Sequence, residues 1–379
     1  LEEINKNVET ISNIRLWDWR PLKTTFTQIQ GIRPYYAFND VDIDRYQIDG
    51  NYRAVTLAAR ELLTDRLREQ AKTWVNQHLI YTHGYGVVLN SVSVVSPGGL
   101  PELLIKDIPP KSSTNLEITQ PGLYFAEVAD DYVIVKTKEK EFDYPKGDEN
   151  EYTIYQGEGG IPISSFLRKL AFAWRFNSLK LLLSDAVTVE SRALFHRKIT
   201  ERIDNIAPFL SYDSDPYIVL SQGKLYWMVD AYTLTDMYPY SEPFDGKNNY
   251  IRNSVKVVVD AYNGDVTFYA FDETDPLLKT YANIFPNLFK SFEEMPADLK
   301  AHIRYPEGLF KVQAQMYATY HMQDPQVFYG KEDMWSIPEE IYEDSRQPVE
   351  AYYIIMKLPG ESKEEFILML PLTPAGKDN

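Results

Sequence analysis

The sequence has no cysteine in 379 residues. Disulfide frameworks, thiolate zinc sites and thiol nucleophiles are therefore excluded, and burial of apolar side chains has to hold the fold together. The composition allows this, because 44% of the residues are hydrophobic and 14% are aromatic, which argues against disorder and for a large core. The motifs typical of zinc proteases, serine hydrolases, dinucleotide-binding proteins and P-loop enzymes are also missing. The residues alone therefore assign no activity.

The chain is acidic, with 39 Lys and Arg against 55 Asp and Glu and a net charge of -16. Phosphate backbones and anionic lipid headgroups would be repelled on average, and nucleic acid is not an expected partner. The basic stretch Arg192–Arg202 is interpreted as a solvated helix face. A stretch without Asp, Glu, Lys or Arg runs from Thr73 to Pro101, but Gly84, Gly86 and Pro97 would break a membrane-spanning helix. We expect that stretch to lie inside the fold.

Spacing of apolar residues predicts several elements of the N-terminal part. Asp49-Gly50 joins two partly alternating segments, Tyr36–Ile48 and Tyr52–Ala58, which indicates a β-hairpin. A helix ending near His83 is predicted from apolar residues at every fourth position, namely Leu67, Ala71, Val75 and Leu79. Further strands are expected at 87–95, 103–108, 123–128 and 132–136, and the glycine-rich segment 138–160 is expected to be a loop or boundary.

The rest of the chain alternates helices and strands. Helices are predicted around residues 166–174, 195–206 and 310–320, the last ending at Asp324-Pro325 because a residue before proline avoids helical angles. Asn263-Gly264 predicts a hairpin between strands 255–262 and 265–271, and a second hairpin is expected from 350–358 and 365–370.

These elements predict a mixed α+β fold with mostly antiparallel sheets and packed helices. We expect two or three subdomains: residues 1–145, an N-terminal α+β part; residues 146–290, helices plus an antiparallel module; and residues 291–379, a helix and hairpin. The helix-plus-hairpins pattern of the second part is similar to that of PepSY modules.

Two stretches carry a resemblance to a known family: TWVNQHLIYTHGYGVVL at 73–89 and YHMQDPQVFYGKEDMW at 320–335. Together with LWDWRP at 16–21, they make the chain similar to uncharacterised protein family 0182. The resemblance implies bacterial multi-pass membrane proteins with a large soluble part outside the cytoplasmic membrane. The chain would be that soluble part, and its start at Leu1 fits a piece of a longer protein. The family implies no agreed activity.

The first candidate ligand site is the polar group His78, Tyr81, His83 and Tyr85, near the predicted helix end. Capping and core packing explain the same residues, because a histidine in a last helical turn and a glycine after it are common at helix ends. The second candidate is Tyr320, His321 and Asp324. There Asp324 could orient His321 across one helical turn, although a hydrogen-bonded histidine at a helix end needs no function.

A third candidate is a metal site at Asp40, Asp42 and Asp44. Alternating residues of a strand share a face, so these carboxylates could bind a hard cation such as calcium. The segment does not fit a calcium loop of the EF-hand kind, since Arg45 and Asn51 occupy the positions of its glycine and glutamate. A solvated hairpin face is the alternative, and Asp213 and Asp215 are interpreted as turn residues before a proline.

We therefore expect a binding or assembly module on the outer side of the cytoplasmic membrane, without a cofactor except possible calcium. Its expected partners are the N-terminal transmembrane helices of the intact protein and an envelope protein, peptide or glycan. The alternatives are a cell-envelope hydrolase that uses carboxylate or histidine chemistry and a calcium-stabilised structural exodomain.

Overall fold

Two mainly antiparallel sheets are the frame of the molecule, and a computed structural model describes them within residues 8–129 and 132–376. The N-terminal half contains the strands β1 Tyr36–Ala37, β2 Asp42–Ile48, β3 Asn51–Ala59, β4 Glu61–Leu62, β5 Gly84–Tyr85, β6 Val87–Val95, β7 Pro101–Lys106, β8 Lys111–Ser112, β9 Gly122–Leu123, β10 Val133–Val135, β11 Glu141–Lys146, β12 Glu149–Thr153 and β13 Ile161–Pro162. The C-terminal half contains β14 Arg192–Leu194, β15 Ser211–Tyr212, β16 Tyr217–Ser221, β17 Lys224–Thr235, β18 Tyr250–Asp260, β19 Val266–Ala270, β20 Phe289–Ser291, β21 Trp335–Ser336, β22 Glu339–Tyr342, β23 Ser345–Pro348, β24 Tyr352–Met356, β25 Glu365–Met369 and β26 Thr373–Pro374.

The α-helices lie around the sheets. They are α1 Val8–Ser12, α2 Trp19–Gln30, α3 Phe166–Arg175, α4 Leu179–Leu183, α5 Ile199–Ile206, α6 Pro276–Ile284, α7 Ala297–Lys300, α8 Glu307–Tyr320 and α9 Pro325–Gly330. This mixture confirms the α+β class. No helix in the described ranges combines the length and the apolar character that a membrane span requires.

The first sheet has the strand order β2-β3-β6-β7-β8, and all its neighbours are antiparallel. The predicted hairpin is confirmed: Asp49 and Gly50 both have positive φ, and Ile48 pairs with Asn51 across the two-residue turn. Such a turn matches the twist of the flanking strands. The first strand of the hairpin begins at Asp42, however, while Tyr36–Ala37 pairs separately with β4.

The second sheet has the order β15-β17-β18-β19-β20, and β16 also pairs with β17. Its pairs are antiparallel except β19 with β20, which run parallel. A hairpin is present at Asn263-Gly264, with Val259 paired to Val266 and Gly264 at φ +74°. The first strand ends at Asp260 and not at Tyr262, so residues 261–265 connect the strands. The β24–β25 hairpin is confirmed as well. The likeness to PepSY modules and the three-part division of the chain stay predictions.

A single large apolar cluster lies between the two sheets. It contains Leu57 and Leu89 from the first sheet, Trp227 and Val257 from the second, and Phe125 from the segment between them. Helix α2 covers the outer face of the first sheet, and α7 covers the outer face of the second. The inner faces of both sheets therefore meet in one core.

The predicted helix from Leu67 to His83 is wrong. The chain forms two 3₁₀ turns, Thr64–Arg66 and Glu69–Ala71, and a π-helical turn at Asn76–Ile80. Side chains compete for the backbone here: the Asn76 side chain donates to the carbonyl of Ala71, and the hydroxyl of Thr73 accepts from the amide of Asn76. Such local bonds offer the backbone an alternative to continuous helix.

Three further predictions are corrected by the structure. Residues 138–160 are not a loop, because β11 and β12 form a hairpin with Gly147 at φ +63° in its turn. The strand expected at 123–128 is reduced to β9 and an isolated bridge at Ala126. Arg197 does not lie on a solvated face, since its buried guanidinium donates to the carbonyls of Tyr124 and Thr82.

Candidate metal centre at the junction of the two sheets

Three carboxylates converge where the first sheet meets the second. Asp40 lies just before β2, Asp42 is the first residue of β2, and Asp215 lies in the loop between β15 and β16. One oxygen from each carboxylate lies within 4.8 Å of the others. These three residues are called the Asp triad below.

Backbone hydrogen bonds fix each member of the Asp triad. Asp40 Oδ1 accepts from the amide of Val41 at 2.7 Å, and Asp42 Oδ2 accepts from the amide of Ile218 at 3.0 Å. The amide of Asp215 donates to Asp213 Oδ1 at 3.1 Å, so the predicted aspartate turn is present. The bond from Ile218 crosses between the sheets and brings Asp42 to the second one.

The other oxygen of Asp42 has no hydrogen-bond partner although it is buried. Asp42 is only 5% exposed, and its Oδ1 accepts no hydrogen bond from the described residues. An unsatisfied buried carboxylate oxygen costs free energy, because water is lost without replacement. Asp42 Oδ1 therefore marks a place where a positive ligand would be stabilised.

A cavity of about 140 Å³ adjoins the Asp triad and is also lined by Arg304 and Glu307. Arg304 Nη2 lies 2.6 Å from Asp215 Oδ2 but 3.9 Å from Asp42 Oδ1. Its Nη1 donates to the carbonyl of Ile43 at 3.1 Å. Arg304 thus pairs with one carboxylate of the triad and lies near a second, and the cavity is also lined by the cations of Arg15 and Lys311.

Burial raises the pKa values of the acids around the cavity. Burial raises the pKa of Asp42 well above its usual range and raises the pKa of Asp215 as well. Burial also raises the pKa of Glu307 to about 7 and, with the nearby charge of Glu61, that of Glu127 to about 8. Carboxyls in this state take up protons unless a cation compensates them.

The donor set suits a hard divalent cation. Calcium takes carboxylate, carbonyl and water oxygens at roughly 2.3–2.6 Å, so two oxygens on opposite sides of one ion are about 4.6–5.2 Å apart. The spacing within the Asp triad lies inside that limit. The adjoining cavity has room for the water ligands that three protein donors leave unfilled.

The predicted metal site at Asp40, Asp42 and Asp44 is thus only partly assembled. Asp44 is fully buried, with Oδ2 2.7 Å from His302 Nδ1 and Oδ1 3.1 Å from Arg45 Nη1. Burial opposes its ionisation, but the charges and hydrogen bonds of His302 and Arg45 outweigh burial and lower its pKa. Asp44 is held by those two side chains, and Asp215 is the third residue of the cluster.

The first histidine candidate is divided between two places. His83 is buried, with Nδ1 2.9 Å from the hydroxyl of Thr82 and the ring stacked on Tyr124 at 4.5 Å. Its Nε2 lies 3.5 Å from Asp143 Oδ1. His78 instead stacks on Tyr132 at 4.0 Å, with Nδ1 2.7 Å from the carbonyl of that residue.

The two tyrosines of that candidate belong to aromatic packing. Tyr81 contacts Phe142, with the ring centroids 5.0 Å apart, and Tyr85 contacts Tyr144 at 5.2 Å. Tyr85 is also 6.5 Å from the ring of His83. These contacts give the four residues a structural explanation, and a ligand at this place stays a prediction.

The residues of the second candidate, Tyr320, His321 and Asp324, are separated where helix α8 ends. Helix α8 ends at Tyr320, and Asp324 Oδ1 accepts from the amides of Gln326 and Val327 to cap α9. The pairing of His321 with Asp324 is therefore wrong. His321 stacks on Trp335 at 3.9 Å, and its Nε2 lies 3.7 Å from Asp333 Oδ2. Tyr320 packs on Phe328 at 5.5 Å.

The sequence interpretation missed Asp215, Arg304, Glu307 and Glu127 as members of this site. Asp215 drew attention only as a turn residue, which it also is. Nothing in a single sequence pairs it with Asp42, because the register between the two sheets decides that proximity.

Comparisons with known proteins place the chain in a family. The sequence profile of the Uncharacterised protein family (UPF0182) matches residues 1–379. A UPF0182 protein of Pelotomaculum thermopropionicum is 56% identical over 378 residues, which is 100% of this chain and 41% of that protein. UPF0182 proteins of Methanospirillum hungatei and Trichodesmium erythraeum are 53% and 50% identical, each over 100% of this chain and 43% of their own length.

The chain therefore spans less than half the length of these relatives. Comparison with solved structures gives no match.

Proposed function

The chain belongs to the uncharacterised protein family UPF0182, and we propose that it is a module on the outer side of the cytoplasmic membrane that binds calcium at the Asp triad. In this proposal one calcium ion binds the Asp triad and joins the two sheets. The module works in binding or assembly, attached to the N-terminal transmembrane helices of the intact protein, and contacts an envelope protein, peptide or glycan.

The observation that carries the proposal is the buried, unpartnered Asp42 Oδ1 beside two further carboxylates. Acidic residues gather freely on protein surfaces, so a cluster alone would mean little. Asp42 differs because it is buried and because one of its oxygens is already fixed by Ile218. An ion there would satisfy the second oxygen and the excess negative charge together.

The expected affinity is that of an extracellular calcium module. Such sites bind with dissociation constants of about 10⁻⁴–10⁻³ M, and Arg304 competes here by holding Asp215. A weak site of this kind would be filled only where free calcium is abundant. The acidic net charge of the chain also suits a protein whose surface stays in water.

Isothermal titration calorimetry on the chelator-treated 379-residue chain tests the proposal with calcium chloride alone. We expect one bound ion per chain, and we expect Asp42→Asn and Asp215→Asn each to weaken binding by at least about tenfold. Asp236→Asn is the matched control, because Asp236 is exposed and belongs neither to the Asp triad nor to the lining of the cavity. Unchanged binding in both cluster variants would overturn the proposal.

The hydrolase alternative gains no support from its own candidate residues. His321 does not pair with Asp324, which caps α9, and His83 contacts Asp143 only at 3.5 Å. Attachment to transmembrane helices and the identity of the partner can be tested by affinity purification of the intact membrane protein in parallel with this chain. The same partner recovered with both would support the assembly role.

A further inference from the structure

Helices α3 and α4 present a large apolar surface to solvent. The side chains of Trp174, Leu183 and Leu167 are 87%, 77% and 75% exposed. The exposed apolar residues of the two helices are Phe166, Leu167, Leu170, Trp174, Leu179 and Leu183, called the apolar patch below. Isolated exposed apolar residues are ordinary, but six large ones on two adjacent helices indicate an interaction surface.

The opposite side of the same helices is already packed, so the pair cannot simply turn inward. Ala173 and Leu181 are buried in a core cluster with Ile134, Val187 and Ala193. Ser165 caps α3 by accepting from the amide of Arg168, and Lys169 Nζ donates to the carbonyl of Ser184 at 2.9 Å. The patch is therefore held outward by the fold.

The charge beside the patch is opposite to that of the whole chain. Residues 159–184 contain four cations, Arg168, Lys169, Arg175 and Lys180, and no Asp or Glu, in a chain of net charge -16. At 100° per residue, Arg175 and Arg168 lie about 80° and 100° around α3 from Leu167, the nearest edge of the apolar patch. Arg168 donates to the carbonyl of Pro162, and Arg175 Nη2 lies 3.4 Å from Nε2 of His196, whose Nδ1 is 2.5 Å from Glu201 Oε1.

We propose that the apolar patch binds an anionic lipid surface, with its aromatic and leucine side chains in the interface and its cations at the headgroups. A face of Trp, Phe and Leu bordered by Arg and Lys is the pattern of helices that lie in a membrane interface. Long basic side chains can also extend from an apolar surface to charged headgroups. A second copy docked patch to patch would place these cations against their own counterparts, so the local charge favours anionic lipid over such a dimer.

The surface lies on different elements from the Asp triad, so the two proposals can fail separately. Vesicle flotation with the 379-residue chain in chelator separates them, because calcium is then absent. We expect binding to vesicles of equal parts phosphatidylglycerol and phosphatidylcholine and much weaker binding to pure phosphatidylcholine. Binding should fall with added salt, because screening weakens the headgroup attraction.

The decisive variant replaces Phe166, Leu170 and Trp174 with serine. Since these side chains are exposed, the fold should persist, which circular dichroism checks. Binding to phosphatidylglycerol vesicles should weaken at least about tenfold. The matched control replaces Met237, Tyr329 and Ile341 with serine, because they are similarly exposed elsewhere on the molecule, and it should bind like the original chain.

A charge variant separates the two contributions. Arg168→Gln with Arg175→Gln and Lys180→Gln should reduce binding to phosphatidylglycerol vesicles while leaving the residual binding to phosphatidylcholine unchanged. The proposal is overturned if the original chain fails to float with phosphatidylglycerol vesicles, or if the serine variant floats equally well. It is equally overturned if the serine substitutions abolish self-association in analytical ultracentrifugation without affecting vesicle binding, since a second copy would then be the occupant.

Discussion

Glu61 shows how one buried side chain makes stability depend on pH. Its Oε2 accepts from the amide of Val128 at 2.9 Å, and burial raises its pKa to about 7. The unfolded chain has a glutamate pKa of about 4.3, so folding favours the protonated form. The contribution of Glu61 to stability is complete below the unfolded pKa and is lost as pH rises through about 7.

Glu61→Gln should therefore remove part of that pH dependence. Glutamine keeps the acceptor for Val128 and never ionises. Between pH 4.5 and pH 8, the free energy of unfolding of the variant should therefore rise by roughly 2–3 kcal/mol relative to that of the original chain. Urea denaturation at both pH values measures the difference, with Glu117→Gln as the control for an exposed carboxylate. If the original chain and the variant lost equal stability between the two pH values, Glu61 would not be the source of this pH dependence.

Asp44 and Asp42 lie on the same face of β2 but should respond differently to substitution. Asp44→Asn weakens the contacts with His302 and Arg45, so we expect a loss of about 1–3 kcal/mol in the free energy of unfolding. Calcium binding should remain, since Asp44 is not in the Asp triad. Calorimetry on the folded variant checks this. Loss of calcium binding with the fold intact would show instead that Asp44 is a ligand, as in the site predicted from the sequence at Asp40, Asp42 and Asp44.

At the scale of elements, the turns were predictable because they are local. Asp49 and Gly50 both have positive φ, and so does Gly264 after Asn263. Aspartate and glycine tolerate this conformation. The helix expected after Leu67 failed because Asn76 and Thr73 bond to nearby backbone groups. Apolar spacing correctly predicted α3, but it could not show that the apolar stripe faces outward, because that orientation depends on the core on its other side.

The Asn263-Gly264 turn should also be the more sensitive of the two. A Cβ on Gly264 would lie 2.3 Å from the ring of Phe125, whereas a Cβ on Gly50 would meet nothing within 4 Å. Gly50→Ala should cost about 1 kcal/mol for positive φ alone, and Gly264→Ala at least roughly 2–3 kcal/mol because the core must shift as well. Urea denaturation compares them, and equal losses would contradict the packing argument.

At the scale of the whole molecule, calcium should stabilise the fold because its proposed ligands come from both sheets. A ligand that binds only the folded state adds about 2.7 kcal/mol at one hundred times its dissociation constant. The thermal midpoint should therefore rise by several degrees in saturating calcium. Differential scanning calorimetry measures this, and Asp42→Asn should melt at the same temperature with and without the ion.

The same scale explains why the site was only half predicted. Asp40 and Asp42 could be proposed from the alternation of a single strand, but Asp215 and Arg304 approach them through contacts between distant parts of the chain. Composition and spacing describe local geometry, whereas the docking of one sheet on another depends on the packed core. The sequence therefore identified the two carboxylates on one side of the junction, Asp40 and Asp42.

Arg304 gives the junction a further property. Its guanidinium stacks over Tyr217 at 4.0 Å and over Tyr353 at 4.9 Å while pairing with Asp215, so a permanent internal counter-ion is built into the protein. If calcium binds as proposed, this contact should keep the two sheets together when the ion leaves. Occupancy of the proposed calcium site would rise and fall with the ionic composition of the surroundings. The ion would then act as a reversible signal and not as a permanent structural link.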